Sequence, residues 1–98
     1  MDIEKLYDLS PLVNDTERLV LEELGSRLEE ETANGLCDCQ DCVLDVITLA
    51  LNALKPRYHA SLMGTMYAHA AELNGYTNTV KEAVDKAIFR VRANPSHS

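Results

Sequence analysis

Basic residues, long apolar runs and paired cysteines are what this sequence has least of, and each shortage excludes something. Lysine and arginine number 9 against 16 acids, for a net charge of −7. Phosphate polymers are held by neutralising cations, so broad nucleic-acid binding is excluded. That argument does not reach a small dianionic ligand, which needs only one local basic pocket. No stretch of about 18 apolar residues occurs, which excludes a membrane-spanning helix. The N-terminus, "MDIEKLYDLS", is acidic and has no apolar core, so no secretory signal is expected and the cytoplasm is the expected location. Repeats, low-complexity linkers, Gly-rich phosphate loops and serine or cysteine triads are also absent. No segment alternates apolar and polar residues convincingly, and that points to an all-α class. Nothing suggests catalysis.

What is present fits one domain of 98 residues, with 46% hydrophobic residues. A chain this short builds a marginal core, so a metal staple or a partner subunit would help it. Residues 1–14 read as a lead-in with a short turn of helix. Ser10-Pro11, Asn14 and Asp15 are all candidate helix openers. Leu19/Val20, Leu24 and Leu28 share a face, which predicts a helix over about 15–31 that stops at Ala33-Asn34-Gly35. A second helix is expected over roughly 40–54, opened by Asp38 or Asp41 and closed by Lys55-Pro56. In it only Asp45, Thr48 and Asn52 interrupt the apolar residues, so it should be buried nearly all round, shared by a homodimer. Met63, Met66, Tyr67, Ala70 and Leu73 predict a third helix ending at Asn74-Gly75. Thr79-x-x-Glu82 reads as a capping box for the last. Its apolar face is Val80, Ala83, Val84, Ala87, Ile88 and Val91. Asn94-Pro95 ends it, and residues 94–98, with His97, read as a frayed tail.

Two clusters carry chemistry. All three cysteines, Cys37, Cys39 and Cys42, lie within "CDCQDC". An odd count in a short span suits a metal or free thiols better than a disulfide framework. Zinc takes tetrahedral thiolates, and this motif offers three from one loop running into a helix. Its fourth ligand would be His59, His69, Asp38, Asp41, water or a side chain of a second subunit. Partly buried free thiols are the plain alternative, and a Cys39/Cys42 redox pair the third. The second cluster, "KPRYH", follows the apolar helix. Cations there complement the helix dipole, and Tyr58 can simply be core. As a site, Arg57 and Lys55 would grip a phosphate or a guanine edge and Tyr58 would stack on a base. His59 and Ser61 would add polar contacts.

The stretch "CDCQDCVLDVITLALNALKPRY" resembles the bacterial late competence development protein ComFB family. The likeness rests on Cys37, Cys39 and Cys42, on Asp45-Val46, on Ala50-Leu51-Asn52-Ala53-Leu54, and on Pro56-Arg57-Tyr58. It is specific over residues 37–58 and looser over the flanking helices. It implies a small, mainly helical, dimeric cytosolic protein. Some members bind zinc through cysteines; here the lack of a fourth cysteine rules out an all-cysteine site within one subunit. Some members are receptors for the second messenger cyclic di-GMP, linked to pili, motility and DNA uptake. Lys55, Arg57, Tyr58, His59 and Ser61 are then the candidate ligand residues, on chemical grounds. The leading expectation is a non-catalytic cyclic di-GMP receptor. A zinc-stapled module that binds another protein is the alternative, and a thiol enzyme or redox sensor a third.

Overall fold

A computed structural model describes residues 1–60 and 75–95. Among them the chain forms a single small domain, mostly helical. Its elements in order are α1 (Ile3–Leu6), β1 (Val13–Asn14), α2 (Asp15–Ala33), α3 (Gln40–Asn52), β2 (Tyr58–His59) and α4 (Thr77–Ala93). The helix expected around Met63–Leu73, and His97, lie outside the described residues. None of the described helices is long and apolar enough to cross a membrane.

The core lies where α2, α3 and α4 meet. α4 contributes Val80, Ala83, Val84, Ala87, Ile88 and Val91, every residue of the face predicted from its spacing. α2 adds Leu19, Val20 and Leu24, and the loop after it adds Leu36. Asn14 caps α2, its side chain accepting from the Thr16 amide at 3.2 Å. The helix ends at Asn34, followed by Gly35 at φ 109°, a conformation that glycine adopts without Cβ strain. On the solvent side Arg27 ties α2 to α4. Its Nη1 donates to Glu23 at 3.2 Å, and its Nη2 donates to Glu31 at 3.3 Å and to Asp85. Burial works against the guanidinium's charge, but the Asp85, Glu23 and Glu31 contacts outweigh it and raise the Arg27 pKa.

Two expectations need correction. The last helix starts at Thr77, after a π-helical turn at Gly75 and Tyr76, so Thr79 lies inside the first turn and is not the cap. The residue before the helix, Tyr76, already has helical dihedrals and makes no side-chain cap bond. The second helix opens on Cys39, not on Asp38 or Asp41, and α3 ends at Asn52, ahead of Lys55-Pro56. Within one chain, Cys42, Val46 and Ala50 of α3 are buried, Val43, Ile47 and Leu51 are half-covered, and Leu44 is exposed. The all-α class acquires one small exception. β1 and β2 pair antiparallel, Val13 with His59 and Asn14 with Tyr58.

That pairing is held by polar groups at the start of α2. Asn14 Oδ1 accepts from the Arg57 amide at 2.8 Å, and the Asp15 amide donates to the Arg57 carbonyl at 2.7 Å. Thr16, 1% exposed, donates its hydroxyl to the Lys55 carbonyl at 2.8 Å and lies 2.9 Å from the Tyr76 hydroxyl. Two measurements check this account. Ile88→Ala should cost about 2–5 kcal/mol, read as a lower urea midpoint at unchanged slope. Thr16→Val keeps the shape but strips the Lys55 carbonyl of its closer donor. It should cost about 1–3 kcal/mol in the same titration.

Candidate functional site

The C-x-C-x-x-C loop delivers its sulfurs together. The ligand atoms of Cys37, Cys39 and Cys42 all lie within 4.8 Å of one another. Local geometry explains this. Cys39 is the N-cap of α3, and its sulfur accepts from the Cys42 amide at 3.4 Å. That bond folds the loop over the helix start and brings Cys39 beside Cys42, which is fully buried. The Cys39 backbone amide pulls the Cys37 pKa down. Hydrogen bonds to the Cys39 and Cys42 sulfurs, desolvation and the Cys39 charge push it up and prevail.

The same crowding suits a cation. Tetrahedral Zn–S bonds of about 2.3 Å put sulfurs about 3.8 Å apart, so a small closure of this cluster would accommodate the ion. The three cysteines can therefore hold a metal such as zinc. Asp38, Asp41 and His59 do not join the cluster. His69 lies outside the described residues. A fourth ligand is not supplied by the described residues.

The second cluster is arranged differently from its linear order. Lys55 is exposed, and its carbonyl anchors Thr16. The Arg57 guanidinium stacks over the Tyr76 ring, 4.5 Å from its centroid. His59 is half-buried, its Nε2 3.7 Å from Asp15 Oδ1. Tyr58 is 64% exposed. Successive residues of a strand face opposite sides. Arg57 and His59 thus lie toward the domain, against Tyr76 and Asp15, while Tyr58 faces out. Arg57 and Tyr58 therefore face different ways. Ser61 lies outside the described residues.

Asp15 is the unforeseen member. Only 2% exposed, it accepts from Arg18 Nε at 2.8 Å. Its Oδ2 is buried without a hydrogen-bond partner, a cost that the Arg18 charge and the positive end of α2 offset. In the sequence Asn14 and Asp15 signal only a helix start, and Tyr76 signals nothing beyond its place after a turn. Their contacts with the Lys55–His59 segment have no local pattern.

No curated protein matches the chain. A solved structure does: the late competence protein ComFB from Bacillus subtilis, 26% identical, with a TM-score of 0.71 over 87% of this chain and 92% of that one. The family model described as "Late competence development protein ComFB" matches residues 13–95. That span takes in the cysteine loop, the apolar helix, the Pro56-Arg57-Tyr58 segment and α4, and the chain belongs to the late competence development protein ComFB family.

Proposed function

We propose that this protein is a non-catalytic receptor for cyclic di-GMP, working as a homodimer in the control of competence, pili or motility. The observation that carries the reading is the Arg57–Tyr76 stack. A guanidinium resting on a ring has lost much of its rotamer freedom before any ligand arrives, so a phosphate or guanine edge meets a preorganised fork. Lys55 adds an exposed cation beside it, and His59 a half-buried ring. The acid packed against this segment is Asp15, whose charge is engaged by Arg18 at 2.8 Å.

The outward Tyr58 bears on how such a ligand would sit. A ligand touching Arg57 and Tyr58 of the same chain must wrap the end of β2. A two-fold symmetric dinucleotide between two copies would instead take Arg57 from one and Tyr58 from the other. The apolar residues of α3 left half-covered, Val43, Ile47 and Leu51, with exposed Leu44, are the surface on which such a dimer would form. Occupancy signals only if one arrangement of the two copies binds better than another.

A second reading keeps the fold and drops the nucleotide: a metal-stapled module that binds another protein. The sulfur cluster favours it. The two readings are compatible in one molecule, since the metal would clamp the loop to the start of α3, away from β2.

Calorimetry with cyclic di-GMP tests the first. Wild type should bind, and Arg57→Ala should weaken binding roughly 10- to 100-fold, as expected for losing a charge-assisted hydrogen bond. Equal affinity would remove Arg57 from the site, and no heat with wild type would end the receptor reading. Elemental analysis and melting test the second. Protein purified with zinc present should retain metal, a chelator should lower the melting temperature, and Cys42→Ser should abolish both effects. An unchanged melt in metal-free protein would dispose of the staple.

A further inference from the structure

The N-terminal segment does not pack on its own domain. No residue of α1 is buried, and Ile3, Leu6, Tyr7, Leu9 and Leu12 are 39–65% exposed. Ile3 and Leu6 stand at i and i+3 on one helical face, and Tyr7 follows in extended conformation. Around them are Asp2, Glu4 and Asp8 against a single Lys5. An apolar face with a carboxylate border is costly to leave in water and has no counterpart here. The segment precedes residue 13, where the family match begins.

Its counterpart in shape and charge lies elsewhere on the surface. Between α3 and α4 runs a groove of about 190 Å³, lined by Leu49, Ala53, Ala83, Lys86, Ala87 and Arg90. The alanines leave room for an apolar side chain from outside. Lys86 and Arg90, one turn apart on α4, form the cationic rim, and neither takes part in an ion pair among the described residues.

We infer that the acidic, apolar N-terminal segment of one copy docks in the basic, apolar groove between α3 and α4 of a second copy. Ile3, Leu6 and Tyr7 enter the groove, and Asp2, Glu4 or Asp8 meet Lys86 and Arg90. The interaction needs no nucleotide and no metal, so it stands or falls apart from the receptor reading. It is reciprocal, each copy giving a segment and taking one, as closed two-fold assembly requires.

Photo-cross-linking of the full chain tests it. Leu6 is replaced by p-benzoylphenylalanine, and equal amounts of ¹⁴N- and ¹⁵N-labelled protein are mixed and irradiated without nucleotide. Mass spectrometry should find cross-links from the segment to α3 or α4 beside Lys86 and Arg90, including pairs that join the two isotopes. Lys86→Glu with Arg90→Glu should reduce their yield roughly three- to tenfold, as expected for losing two surface ion pairs. Asp2→Lys, Glu4→Lys and Asp8→Lys added to that variant should restore it. Circular dichroism confirms that each variant is folded. Cross-links confined to one isotope, cross-links to another surface, no cross-links, or a yield indifferent to the charge reversal would each overturn the inference.

Discussion

Asn14 Oδ1 accepts two amide protons, one from Thr16 in its own helix and one from Arg57, 43 positions away. The rest of the arrangement depends on this bifurcated acceptance. The first bond caps α2; the second, with the Asp15 amide on the Arg57 carbonyl, sets the register of β1 on β2. Thr16 extends the same join to the Lys55 carbonyl and Tyr76. The chain leaving α3 is thereby fixed against the start of α2 by main-chain groups. Arg57 and Lys55 thus hold the fold through backbone atoms.

The apolar core and this polar join have different jobs. Val20, Val46, Val84 and Ile88, all at most 2% exposed, supply the burial that keeps three helices together. Burial is non-directional and does not choose which way the segment after α3 runs. Hydrogen bonds do choose, since a buried carbonyl without its donor costs more than a satisfied one returns. The Arg57–Tyr76 stack follows from that choice.

Much of the architecture was legible because it is local. α4 was readable to the last buried residue, its face repeating every three to four positions over 17 residues. The end of α2 followed from Asn34-Gly35, and the sulfur cluster from C-x-C-x-x-C, whose spacing lets Cys39 cap the helix that carries Cys42. The Thr79 capping box misled because the π-helical turn at Tyr76 started the helix upstream. The apolar run of α3 records how much surface wants covering, and among the described residues the neighbouring helices bury the side of Cys42, Val46 and Ala50.

The sequence by itself determined where the three long described helices lie to within a few residues, which faces are apolar and that three thiols share one loop, since each depends on neighbours within one or two turns. The tertiary structure alone decided that Arg57 lies on Tyr76, that Asp15 is buried beside His59, and that Tyr58 points away. Those outcomes come from contacts between residues as far apart as Asp15 and His59. A two-residue strand pair has no periodicity to announce it. Its register exists only once α2, α3 and α4 have packed and brought the start of one helix to the end of another.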